Sequence, residues 1–480
     1  MTATLKSRKF IALSVTFLLS LLSAVLSEIY YLVLVPFVLL VFYAGWNNPR
    51  FIFLTLLFSL PFSFEYNFTT TLGTDIPDEG LMLLTSVVVI ALLIHSRYTY
   101  AKSLLRHPLV TLLLIHLAWI IVTAVVSTDH LVSFKYVLSK GWYLCAFVLA
   151  PLLIWNSEKD ILDAAKVLLA GITAVVVIIL IKHYLLDLSF ANVNEAVDPF
   201  FRNHVNYSSM LVCLLPVAFA FLIASQGRRR VFFVSIIIIL LTALFFSYAR
   251  GAWLALISGG VALLVIYQRR VISTYILCII LVAGLFQWLK TGDRYLRFSH
   301  QFSTTVFHED FREHLVATYK LKDVSTAERF YRWIAGVRMV KDNAITGVGA
   351  GTFNQHYKPY AIPAYKTWVS DNEERSTIHN YFLLILVEQG VPGLIFFLLL
   401  LGAMLYYAQS LYHRSTNKVT RMIALATGVM IVMIATVNFL SDLLETDKVG
   451  SLFFLCLSTL IACDMYGKRS KLSPNIQSIP

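Results

Sequence analysis

Two arginines and one histidine stand where their side chains could bind an anion and move a proton. Arg250 lies in Ser247-Tyr248-Ala249-Arg250-Gly251, a turn of a few residues between two strongly apolar runs. An ionisable group at the edge of a membrane span is costly, so its presence points first to function. An arginine snorkelling to an interface would use the same position; confinement in so short a turn favours function. Arg329 follows Ser325-Thr326-Ala327-Glu328, which reads as a capping box with Ser325 at N-cap and Glu328 at N3. The helix so begun would run roughly to Lys341 and end at Gly347-Val348-Gly349-Ala350-Gly351, with Arg329 and Trp333 on one face and Arg332 offset. A helix N-terminus adds its dipole and free N–H groups to an arginine's charge, which suits an anion. A solvated amphipathic helix lying on a membrane would look the same. The glycine run lacks the lysine and serine of a phosphate loop and reads equally as a turn.

His379 occurs in Ser376-Thr377-Ile378-His379-Asn380-Tyr381-Phe382. With Ser376 or Thr377 as cap, a helix would open here and run to Gly390, restarting at Pro392 and placing His379 in the first turn. The positive end of the helix dipole disfavours imidazolium, leaving a ring able to accept a proton, as a general base must. A capping or packing histidine fits the same residues; the position at the mouth of an apolar run, after a long hydrophilic stretch, favours catalysis. Glu388, more than two turns further into that run, reads as structural.

The elements that must position these groups are membrane helices. Of 480 residues 58% are hydrophobic and 14% charged, and mean hydropathy is +0.74. Soluble domains are nearer half apolar and a quarter charged. Spans are expected near 10–27, 29–46, 51–64, 80–95, 108–127, 141–155, 163–184, 207–226, 231–247, 250–268, 271–289, 391–411, 421–440 and 449–466. Because backbone groups in lipid must pair within their own segment, these runs are helices. The class expected is an all-α integral membrane protein with 12 to 14 transmembrane helices, the first a retained helix and not a cleaved signal.

The net charge of +12 falls in short clusters between apolar runs: Lys6-Arg8-Lys9, Arg97-Lys102-Arg106, Arg228-Arg229-Arg230, Arg269-Arg270, Arg414-Lys418-Arg421 and Lys468-Arg469-Lys471. This is the positive-inside pattern, which argues against nucleic acid as a partner. It puts both termini inside and residues 290–378 outside, as one large ordered loop rich in aromatic residues and containing helices. Three parts result: a bundle over 1–289, the loop domain over 290–378, and C-terminal helices over 379–480. The cysteines all lie in apolar runs without CxxC or Cys/His spacing, so no zinc site or disulfide framework is indicated. Asp75, Asp78 and Glu79 share an external loop, with nothing tying them to the arginines.

Three stretches resemble the O-antigen ligase and polymerase family: SYARGAWLAL (247–256), AERFYRWIAGVRMVKDNAITGVGAGTFN (327–354) and HNYFLLILVEQGVPGLIFF (379–397). RNHVNYSSML (202–211) is a weaker match and adds Arg202 and His204 as supporting candidates, beside Trp333 and Asn380. The resemblance spans about 200 residues in the family's order. It implies metal-independent, inverting transfer of a glycan from undecaprenyl diphosphate at the periplasmic face of a bacterial inner membrane, without a cofactor. In a ligase, the acceptor is a sugar hydroxyl of lipid A-core, and the product belongs to lipopolysaccharide biosynthesis. His379 would then activate the acceptor hydroxyl, while Arg250 and Arg329 would hold the diphosphate. Guanidinium forks can match the growing diphosphate charge without a metal ion. A single long external loop favours ligase over polymerase; a protein O-oligosaccharyltransferase is a third reading. A transporter would be expected to carry polar groups near the midplane, whereas here they gather at the external mouth.

Overall fold

The computed structural model describes residues 42–67, 73–95, 104–292, 294, 324–362, 370 and 377–472, besides positions 15, 19, 20 and 23. The expected spans 10–27 and 29–46 lie almost wholly outside these residues. Helix α1 (Pro49–Ser59) ends in a 3-10 turn at Leu60–Phe62, a shorter apolar helix. An antiparallel hairpin follows, β1 (Phe64–Asn67) with β2 (Gly73–Ile76), in the register Phe64 to Ile76. No strand was expected there.

Eleven helices among the described residues are long and apolar enough to cross a membrane. They are α2 (Asp78–His95), α3 (Pro108–Val125), α4 (His130–Ile154, with a π-turn at Cys145–Leu149), α5 (Glu158–Leu185), α6 (His204–Ala224), α7 (Gly227–Phe246), α8 (Arg250–Tyr267) and α9 (Val271–Lys290); then, beyond the non-spanning α10 (Val324–Asp342), α11 (Tyr381–Arg414), α12 (Lys418–Leu440) and α13 (Asp447–Leu472). The protein is an all-α, multi-pass membrane protein. Helix α4 starts eleven residues before the expected 141, because Lys140 inside it is neutralised by Glu445 at 2.9 Å. A charge that hydropathy counts against a span is acceptable once paired.

Burial sets the layering. In α13, 94% of the span is buried, against 6% in α9, so α13 is the axis of the bundle and α9 its lipid-facing edge. Helices α8 and α12 run antiparallel in close contact through small residues: a Cβ on Gly251 would meet Leu440 at 3.4 Å, and Ser258 and Thr436 share a hydrogen bond of 2.8 Å. Without a hydrophobic drive in lipid, such close backbone approach holds helices together. Across the loop, α9 lies antiparallel to α11: Val271 N–H donates to Gln409 Oε1 at 2.9 Å, and the Tyr275 hydroxyl to Leu398 O at 2.8 Å.

Short turns reverse the chain between spans, so Arg50, Arg106, Arg228 to Arg230, Arg269, Arg270, Arg414 and Lys418 share one end of the bundle. That end is stapled by Arg50 on Asp160 and Asp163, each at 2.8 Å, and by Asp464, which takes His107, Lys468 and Arg414. The opposite end carries the hairpin, the starts of α2, α6, α8, α11 and α13, and every candidate residue named above.

Candidate functional site

Helix α11 begins three or four residues later than a cap at Thr377 or Ser376 would place it. Asn380 is its N-cap, its side chain accepting the Leu383 N–H at 3.0 Å. A short amide at N-cap satisfies an otherwise orphan donor, which is why the helix starts there and not after Ser376 or Thr377. His379 therefore stands outside the first turn, with a left-handed backbone (φ 55°). The first-turn placement expected for it is corrected; Asn380 takes the helix-end role, and His379 is turned toward another partner.

That partner is Asp442, in the turn between α12 and α13. His379 Nδ1 lies 3.7 Å from Asp442 Oδ1, the ring 35% exposed and the carboxylate 13%. The Thr377 hydroxyl donates to the other carboxylate oxygen. Tyr381 N–H donates to Ser441 O at 3.0 Å, locking the two segments side by side. The result is an imidazole open to one side and backed by an oriented acid.

Helix α10 grips the same segment. Trp333 Nε1 donates to Ile378 O and Arg332 Nη1 to Thr377 O, both at 2.9 Å. Trp333 and Arg332 thus hold the backbone that carries His379. The helix starts at Val324, ahead of Ser325, and Glu328 turns to Arg332 at 3.3 Å and to the Ser370 hydroxyl. With the helix starting at Val324, Glu328 is not its third residue as the expected capping box requires, and its carboxylate serves the buried Arg332 instead. Arg329 is half-buried one turn before Trp333.

Behind this, the glycine run docks into a break in α11. Val348 N–H donates to Val387 O at 3.0 Å and Gly349 N–H to Glu388 O at 3.1 Å. The Glu388 carboxylate accepts Gly351 N–H at 2.8 Å and Phe353 N–H at 3.0 Å. Gly390 has φ 70°, and a Cβ there would meet Ile345 O at 2.0 Å. The run is a docking strap and not a phosphate loop, since the N–H groups of Val348, Gly349 and Gly351 are spent on α11.

Arg250 is the first residue of α8 and half-buried. Tyr248 just before it is left-handed (φ 55°), and its hydroxyl donates to Leu188 O at 2.6 Å. Leu440, which faces Gly251, directly precedes Ser441 and Asp442, so the Arg250 turn borders the His379–Asp442 pair. His204 shares Asn194 Oδ1 between its ring (2.8 Å) and its backbone N–H (3.0 Å). The Phe190 ring bridges His204 and Tyr248, at 6.2 and 5.6 Å between centroids. His204 is thereby joined to the Arg250 turn, and Arg202 beside it is exposed.

Asp442 escaped the sequence reading. Its signal was present: Asp442, Glu445 and Asp447 crowd a six-residue turn between two apolar runs, and the span-edge argument applied to Arg250 applies there too. Among the described residues, no three His, Cys, Asp or Glu side chains converge as a metal site.

The fold and these clusters define a multi-pass membrane protein whose ionisable groups gather at one end of its bundle, against a strap-and-helix cap. Residues 235–398, about a third of the chain, match the O-antigen ligase family model, which supports a place in the O-antigen ligase and polymerase family. Its members are glycosyltransferase-like enzymes acting on polyprenyl-linked glycans and lipids. The match takes in Arg250, Arg329, His379 and Glu388 but not Asp442. No curated protein matches the chain.

Proposed function

We propose that the protein is a ligase-type glycosyltransferase of a bacterial inner membrane, moving a glycan from undecaprenyl diphosphate to a lipid A-core sugar hydroxyl on the periplasmic side. The observation that carries this reading is the His379–Asp442 pair, set beside the Arg250 turn at the end of the bundle away from the basic clusters. Positive clusters mark the cytoplasmic side, so the pair faces the periplasm.

In this mechanism, the far nitrogen of His379 takes the proton of the acceptor hydroxyl as its oxygen attacks the anomeric carbon. The bond from that carbon to the diphosphate oxygen breaks on the opposite face, inverting the centre. The leaving diphosphate carries away the bonding pair, and Arg250 and Arg329 neutralise it with bidentate contacts. Asp442 orients the ring and stabilises the imidazolium that forms, as the carboxylate of a catalytic triad does. Trp333, Asn380 and Arg332 keep His379 in place.

Deleting the gene and resolving lipopolysaccharide on gels tests the reading. Loss of long-chain lipopolysaccharide with accumulation of carrier-linked polymer is the expected result. Chains capped with a single repeat would instead identify a polymerase, and an unaltered ladder would exclude both. A cysteine at Lys358, an exposed position in the loop, should react with a membrane-impermeant reagent in intact spheroplasts; an inaccessible probe would overturn the sidedness.

A further inference from the structure

Asp442 can orient His379 only if its turn is rigid, and what holds that turn is a buried charge cluster from a distant helix. Lys140 of α4 meets Glu445 Oε2 at 2.9 Å, and the Tyr136 hydroxyl donates to Glu445 Oε1 at 2.9 Å. The Tyr381 backbone N–H holds Ser441 at the start of the same turn. The Lys140 side chain is 10% exposed and that of Glu445 23%, so this ionic contact is partly shielded from water. Leu444 N–H donates to Asn438 Oδ1 at 2.8 Å, closing the turn on its other side.

The same face of α4 supports the strap. Ser133 Oγ donates to Ala350 O at 2.7 Å, and a Cβ on Gly351 would touch Tyr136 Cβ at 3.5 Å. One helix face, Ser133, Tyr136 and Lys140, thus backs both the strap and the acidic turn. Neither α4 nor residues 441–446 lie in the family-matched segment 235–398.

We infer that Glu445, clamped by Lys140 and Tyr136, is a positioning residue that acts on transfer through Asp442. This rests on the proposed role of His379 as base. Glu445 lies three positions after Asp442, so a shift of the glutamate is passed to the aspartate by a single helical turn of backbone (Leu443–Glu445). A lysine in the middle of a membrane helix is costly to retain; here it anchors a turn that faces the histidine.

A double-mutant cycle tests this in detergent-purified full-length protein with a carrier-linked glycan donor. Glu445→Gln should lower kcat on the order of tenfold, the usual cost of losing an orienting partner, with donor KM unchanged. In an Asp442→Asn background the same change should cost nothing further, because its route is already cut. Should Glu445→Gln alone insert poorly, the Lys140→Met/Glu445→Gln pair removes both buried charges and restores the fold; its kcat should remain low. Multiplicative losses in the cycle, or a double variant with full kcat, would overturn the inference. So would full turnover of a well-inserted Glu445→Gln protein while His379→Ala is inactive. Full turnover of His379→Ala would instead overturn the underlying reading, and the positioning role with it.

Discussion

Glu388 Oε2 accepts the backbone N–H of Gly351 at 2.8 Å, joining a loop strap to a helix that begins thirty residues later. The contact explains an acid deep in an apolar run. Its two oxygens replace the helix and strand partners that Gly351 and Phe353 lack, and the break at Gly390 opens the space in which the strap lies.

Glu388→Ala leaves two N–H groups without that acceptor, at roughly 1–3 kcal/mol each. Gly390→Ala combines a left-handed backbone, costing about 1–3 kcal/mol, with a Cβ driven into Ile345 O. Both variants should melt earlier in detergent and yield less inserted protein. Wild-type melting of Gly390→Ala would show that the break in α11 is not needed.

His379→Ala should insert and fold normally, since the side chain is partly open and Asn380 caps the helix. Transfer should fall by about 10²- to 10⁴-fold, the usual contribution of a general base. Binding of the carrier-linked donor should persist, because the arginines remain. Turnover assays on a well-expressed variant decide the matter: an unaffected rate removes His379 from the chemistry.

Arg250→Ala and Arg329→Ala should each weaken donor use on the order of 10- to 100-fold, corresponding to about 1.5–3 kcal/mol for charge-assisted contacts. Lysine should rescue poorly, because it lacks the planar fork. Adding EDTA to the wild type should leave transfer unchanged. Full activity of Arg329→Lys would reassign that arginine to the solvated surface of α10.

Asp75, in strand β2, is pushed up to about 7, first by burial and then by the Asp447 and Glu79 carboxylates. A folded-state value above the ordinary 3.8 means the folded protein holds this proton more tightly. The stability it contributes is complete below that ordinary value and is lost as pH rises through about 7. Melting temperature in detergent should therefore decline from pH 5 to pH 8 more steeply in the wild type than in Asp75→Asn. Parallel curves would show that Asp75 is not the titrating group.

The sequence by itself determined the class of fold, because the ends of apolar runs and the placement of basic clusters follow from the cost of moving charge into lipid, which acts residue by residue. Spans from α5 to α9, α12 and α13 were legible for that reason, as was the end of α10 ahead of a glycine run. It also pointed to Arg250 and His379, since charge at a span edge is conspicuous without any partner, and to Arg329 near a helix start. Partnership was not legible. Lys140 hid the first turns of α4 because its compensating Glu445 lies about 300 residues away in sequence, and Asp442 drew no notice until Thr377 and His379 were seen beside it. The helix start at Asn380, the diversion of Glu328 to Arg332, and the use of the glycine N–H groups on Glu388 were likewise decided by tertiary structure. Each is a competition between local and distant partners for one polar group, and only packing brings the distant partner within hydrogen-bonding reach.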